Sequence, residues 1–369
     1  MKLSKTHGFT LLELIVAVAV TGLLSGMLLT ISSQVLNTQS KSSGQLETNL
    51  IAQSVLDQIQ EDMQCALFRN DGNIWMALSI LEDEENSGFW ASAVQKKPPE
   101  SSLRIFKSDT TESENMNEPE VPDNLGQLPF ELSRFGVGGV WMRFFTQAPE
   151  LGNNEEINSG GARAIAYQLI RYGLTASKSS APRYQLFRTD VTAKNTYAAG
   201  YDLHPDGPYG DKSGEVNIVE PDTPRNHTLL EKPILESGDD QPATAFSIGS
   251  NIIDLGVRAY LVEYSSSGTG NLIQIFPPIS PASPGNMISN VFYATSNLSL
   301  DYSPNPPPYN KFPDVVDIMV RVLTLEGANK LEAFESGDIP ETDSVNWWSI
   351  AEENSDVYFR RVKIYGSGI

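Results

Sequence analysis

The chain has 369 residues, of which 40% are hydrophobic and 20% charged, so one or two domains with a substantial core are expected. Its 46 acidic and 26 basic residues leave a net charge of −20, which argues against a nucleic-acid partner because a phosphate backbone needs a clustered basic surface. With one cysteine, Cys65, no intrachain disulfide can form; its place in an apolar helical run reads as a small core residue rather than a reactive thiol.

Residues 1–8 carry Lys2, Lys5 and His7 and no acid. Residues 9–31 follow as an apolar run with one charge, Glu13. At 1.5 Å per residue that run is about 35 Å long, enough for a bilayer core. The basic leader keeps the N-terminus cytoplasmic and sends the rest of the chain across. A cleaved secretory signal would have a shorter apolar run and a small-residue cut site, and a buried globular helix rarely has this length at this place. A plain single-pass anchor explains everything except Glu13, because an intramembrane carboxylate is costly and normally has a partner. One arrangement explains leader and carboxylate together. A cut between Gly8 and Phe9 would make Phe9 a free amine, and Glu13 one turn away could neutralise the amine of a neighbour in a packed bundle.

The contiguous run Lys5-Thr6-His7-Gly8-Phe9-Thr10-Leu11-Leu12-Glu13 resembles the class III leader of type IV pilins and type II secretion pseudopilins. The resemblance implies that a prepilin peptidase cuts after Gly8, that Phe9 is methylated, and that Glu13 is the assembly carboxylate. It covers about the first 60 residues. Thr30 stands where the family commonly has a helix-kinking proline, so Gly22 and Gly26 are the remaining soft points.

Beyond residue 31 the helical pattern continues through Val35, Leu36, Leu46, Leu50, Val55, Leu56, Ile59, Met63, Ala66 and Leu67, with polar residues between them. Asn70-Asp71-Gly72-Asn73 ends it. One helix over residues 9–69 is expected, its lower half packing on the chain's own domain. The intended organisation is a leader over 1–8, a spanning helix over 9–31, a stem over 32–70 and a β-rich extracytoplasmic domain over 71–369.

In that last part, residues 82–124 read as loop with one strand over 102–106. Strands are expected over 139–145, over 164–171 and 183–188 as a hairpin, over 251–264 as a strand pair or one bent strand, over 314–325, and over 357–365. Residues 195–244, rich in Pro, Gly and Asp, read as a loop insertion, and residues 330–334 as a short helix. The fold class is therefore α+β, a long N-terminal helix on an antiparallel sheet with long loops. The order also resembles J-type minor pseudopilins and W-type minor pilins, through Ile59-Gln60-Glu61-Asp62 after the stem and Pro313-Asp314-Val315-Val316 before a late strand.

No HExxH, GxSxG or Walker pattern is present, and His7, His204 and His227 are scattered. Gly136-Val137-Gly138-Gly139 reads as a turn rather than a dinucleotide loop. Asp202, Asp206, Asp211 and Glu215 are candidate calcium ligands in a Gly-rich loop, but their spacing is not that of an EF-hand and solvated loop acids are the commoner meaning. Trp347-Trp348 reads as core, with a contact surface as the second reading. The expected function is a structural subunit, minor rather than major, of a pilus or pseudopilus. Its expected partners are other pilins or pseudopilins, prepilin peptidase and an inner-membrane assembly platform. The alternative is an adhesin or ligand-binding module displayed on a pilin-type stem, with its site in residues 195–244.

Overall fold

The computed structural model describes residues 10–80, 135, 140–147, 161–173, 182–191, 193–204, 247–265, 268, 270–278, 291–297, 308, 310–342 and 345–365. The expected strand over 102–106 and the glycine turn over 136–139 lie outside them. The chain divides into two compact units, Met1–Glu47 and Thr48–Ile369, and one helix, α1 (Leu11–Gln64), runs from the first into the second.

In the second unit α1 presents a face of period three and four. Thr48, Ala52, Val55, Ile59 and Asp62 are buried, with Leu56 and Met63 flanking them, and Ala66 just past the helix end is buried too. Burying each of the apolar members contributes at most about 1.5–3 kcal/mol for the larger ones. The helix ends against a strand. The Leu67 amide donates to the Phe145 carbonyl at 2.8 Å, and the Gln147 amide donates to the Cys65 carbonyl at 3.1 Å. A carbonyl left without an intrahelical partner at the C-terminus is thereby satisfied.

Two antiparallel sheets carry the core. The first is assembled from β1 (Met76–Ile80), β2 (Val140–Thr146), β3 (Arg163–Gly173), β4 (Pro182–Val191), β5 (Ser247–Ser250) and β8 (Val291–Ala294), in the order β5-β4-β3-β2-β1-β8. The second takes β6 (Ile252–Tyr264), β7 (Gly270–Phe276), β9 (Val315–Leu323) and β10 (Ser355–Lys363), in the order β10-β9-β6-β7. The expected hairpin is β3 with β4, paired from Ala164↔Val191 to Gly173↔Pro182.

The segment over 251–264 is one long strand, and the chain changes sheets just before it. Asn251 stands at φ 60 between β5 and β6, and its carbonyl accepts from the Leu323 amide at 2.8 Å. Asparagine tolerates that left-handed conformation better than most side chains. Gly249 in β5 lets the strand approach α1, because a Cβ there would lie 2.8 Å from Val55 Cγ2 and 2.7 Å from Ile252 Cδ1.

Three shorter helices complete the described residues. Helix α2 (Ala193–Ala199) occupies what was expected to open a loop insertion. Thr196 is buried there, and Leu203 just beyond is buried with its amide on the Ile74 carbonyl at 3.0 Å, so the start of that segment belongs to the core. Helices α3 (Leu325–Ser336) and α4 (Trp347–Glu353) lie between β9 and β10. Thr324 caps α3 through its side chain, and Asn346 and Ser349 form a reciprocal capping box on α4. Their own small core joins Leu331, Phe334, Trp347, Trp348 and Ala351 to Tyr184, Ile253 and Leu323. Trp347 and Trp348 are therefore core residues, carried on a helix, and not a contact surface.

Candidate functional site

Gly8 and Phe9 lie outside the described residues. Immediately after them Thr10 and Glu13 build a capping box. The Thr10 amide donates to Glu13 Oε2 at 2.9 Å, and the Glu13 amide donates to Thr10 Oγ1 at 3.3 Å. Within the chain, Glu13 thus has a local task that sequence reasoning missed, although Thr-x-x-Glu ahead of an apolar run is its sequence signature. The capping box also holds the carboxylate at the first turn, where the helix dipole favours negative charge.

Helix α1 is long and apolar enough to cross a membrane, and its most apolar window is exposed among the described residues. Polar groups in the run are satisfied locally. Thr21 Oγ1 donates to the Ala17 carbonyl at 2.7 Å and Thr30 Oγ1 to the Gly26 carbonyl at 3.0 Å. In lipid, hydroxyls bonded to their own helix avoid the cost of an unpaired donor. Neither Gly22 nor Gly26 interrupts the helix, and a Cβ at either would meet nothing within 4 Å. Ala17, Thr21 and Ser25 follow Glu13 at successive steps of four, so small side chains continue the row that the carboxylate begins.

The stem is not packed along its whole length. Val35, Leu36, Leu46 and Leu50 are exposed, whereas the expectation was that their row packs on the domain with the rest. At about 100° per residue, Val35, Leu46 and Leu50 fall within about 60° of one another. That face is roughly opposite the one carrying Ala52, Val55 and Ile59. A single apolar stripe was read where the helix has two.

The second unit hides a charge cluster that the sequence reading passed over. Asp62, on the buried face of α1, accepts from Arg188 Nε at 2.7 Å and Arg188 Nη2 at 3.0 Å, and also from the Tyr167 hydroxyl. Arg188 Nη1 reaches Asp190 at 2.9 Å, and Arg163 pairs with the same Asp190 oxygen. The Thr146 hydroxyl donates to the Asp62 carbonyl at 2.7 Å. Burial opposes the charge on Arg188, but the bonds to Asp62 and the nearby negative groups outweigh it and hold the guanidinium above its ordinary pKa. Burial, reinforced by the Asp62 charge, pushes the Tyr167 phenol well up and keeps it a donor. The signal was available: Asp62 falls three residues after Ile59, inside the apolar stripe.

Of the candidate calcium ligands only Asp202 lies within the described residues. It accepts the Ile74 amide at 2.9 Å, so it acts as a structural acceptor for the strand entry. Among the described residues no group of three or more His, Cys, Asp or Glu is arranged to hold a metal ion. Cys65 is free and partly exposed at the helix end, not a core residue as expected, and burial together with Glu61 and Asp62 raises its thiol pKa.

No curated protein and no solved structure gives a significant match to the chain. The family model described as the prokaryotic N-terminal methylation motif matches residues 3–29, the segment that holds Gly8, Phe9, Glu13 and the apolar half of α1. Over that segment the chain is similar to proteins that carry a prepilin-type N-terminus, which supports a likeness to type IV pilins and pseudopilins; the match does not reach the second unit.

Proposed function

We propose that the chain is a minor subunit of a type IV pilus or type II secretion pseudopilus, of the J or W type, assembled through its N-terminal helix. The observation that carries the reading is the methylation motif placed directly against an apolar helix that is exposed among the described residues. Prepilin peptidase cuts between Gly8 and Phe9, and the new Phe9 amine is methylated. The helix sits in the inner membrane with the second unit extracytoplasmic, and an assembly platform draws it into the filament. Glu13 faces the Phe9 amine of a neighbouring subunit. The small residues Ala17, Thr21 and Ser25 let that neighbour's helix approach closely, and Val35, Leu46 and Leu50 continue the contact outside the membrane. No residue of the 195–244 segment that is described carries a feature favouring the adhesin alternative.

The capping box sharpens the role of Glu13. Cleavage leaves Thr10 in place, so the carboxylate can keep the Thr10 amide and still receive an incoming amine on its free oxygen sites. Substituting Glu13→Ala should leave the chain in the membrane fraction and remove it from sheared filaments. Incorporation into filaments at the wild-type level would contradict the assignment.

A further inference from the structure

Among the described residues β10 is an open edge of the four-stranded sheet. Its inner side is fully used, since it pairs with β9 along all nine residues, from Ser355↔Leu323 to Lys363↔Val315. Asp356, Tyr358 and Arg360 turn toward α1. Asp356 and Tyr358 meet Thr48 Oγ1 at 3.1 and 2.9 Å, and Arg360 pairs with Asp57 and reaches Gln60 at 3.1 Å. The alternate row is Phe359, Arg361 and Lys363, with Phe359 55% exposed at the middle of the strand.

Such an edge is normally blunted by shortness, proline, a bulge or charged side chains, and here two of the charges, Arg360 and Arg361, are paired within the chain with Asp57 and Asp317. This one is nine residues long, pairs in unbroken register and holds no proline or glycine. Its charge is graded along its length. Asp356 stands near its start, just after Glu352 and Glu353 at the end of α4, and Arg360, Arg361 and Lys363 stand at its end. The strand that fits this edge runs antiparallel and carries the reverse gradient. A copy of β10 turned about a two-fold axis through Phe359 has both properties.

We infer that β10 docks against β10 of a second copy of the chain, antiparallel and centred on Phe359, so that two four-stranded sheets become continuous. The contact is isologous and closes on itself, giving a dimer rather than an open chain. Phe359 meets the partner's Phe359, and Val357 faces the partner's Arg361. Lys363 arrives beside the partner's Ser355, next to its acidic start. A slip of two residues toward the C-terminus opposes Arg360 to the partner's Arg360, and centring on Phe359 pairs the exposed ring with itself. The other edge of the sheet, β7, has no charged residue and no such gradient. This contact lies in the second unit and does not depend on cleavage or on the membrane helix.

The single cysteine makes a direct test practical. The full-length chain in detergent micelles, with Cys65→Ser, receives Phe359→Cys or, as the control on β7, Leu272→Cys. Directly opposed residues of an antiparallel pair lie about 4.5–5.5 Å apart at Cα, within disulfide reach. The Phe359→Cys chain should form covalent dimers several-fold faster than the Leu272→Cys chain. By analytical ultracentrifugation, Lys363→Glu and Glu353→Lys should each lower the dimer fraction several-fold, and the two together should restore it. Equal cross-linking rates for the two cysteine chains, or a double charge variant no more dimeric than either single one, would overturn the inference. Association through α1 alone would give equal rates, so it is distinguished from the edge contact.

Discussion

Asp62 sits fully buried on an otherwise apolar helix face, and Arg188 answers it with two hydrogen bonds. Removing one partner leaves the other charge buried and unmatched. Asp62→Ala should therefore destabilise the second unit by about 3–5 kcal/mol, whereas Asp62→Leu with Arg188→Met should recover most of that loss. Chemical denaturation of the two variants separates a charge effect from a packing effect; equal losses in both would place the cost in packing alone. Asp202 offers a second residue-scale test. Burial raises its carboxyl above the ordinary range, with the Ile74 amide opposing. The folded state therefore holds the proton more tightly than the unfolded one. The stability this provides is complete below the unfolded value of about 3.9 and is lost as pH rises through the folded value. Wild type compared with Asp202→Asn should thus be relatively most stable in acid and lose ground as the pH increases. A difference that stays flat across that range would contradict the reading.

At the scale of elements, what could be read in the sequence was what local pattern governs. The hairpin of β3 and β4 showed as two runs separated by Gly, Ser and Pro, and β9 and β10 showed as alternating strands. The bounds of α3 were read too short, because its Thr324 cap and the glycine at 337 were overlooked as start and stop signals. Tertiary relations were not legible. Nothing local says that β5 and β6 belong to different sheets, or that Asp62 and Arg188 meet across 126 positions of sequence. The two faces of α1 were merged for the same reason, since periodicity finds apolar residues but not what covers them. At Gly249 the strand β5 lies close against α1, a Cβ there falling 2.8 Å from Val55 Cγ2. Gly249→Val should put its side chain into Val55 and Ile252 and lower the thermal midpoint of the second unit. An unchanged midpoint would mean the strand shifts freely away from the helix.

For the whole molecule, the division at Glu47/Thr48 separates a stretch of α1 whose apolar side chains are exposed among the described residues from a unit with a packed core. An apolar helix without a cover calls for lipid, for neighbouring helices, or for each in turn, and a processed pilin stem uses both. The proposed site of processing could be read from the sequence because it is a contiguous motif. The cluster around Asp62 could not, because it is assembled from four elements, α1, β2, β3 and β4. The central claim is that the leader is a substrate and not merely a topogenic flank. Intact-mass and peptide mass spectrometry of the mature chain, isolated from cells that have prepilin peptidase, tests it most directly. The expected N-terminus is Phe9 bearing a methyl group; a chain that still begins at Met1, or one cut after residue 31, would contradict it.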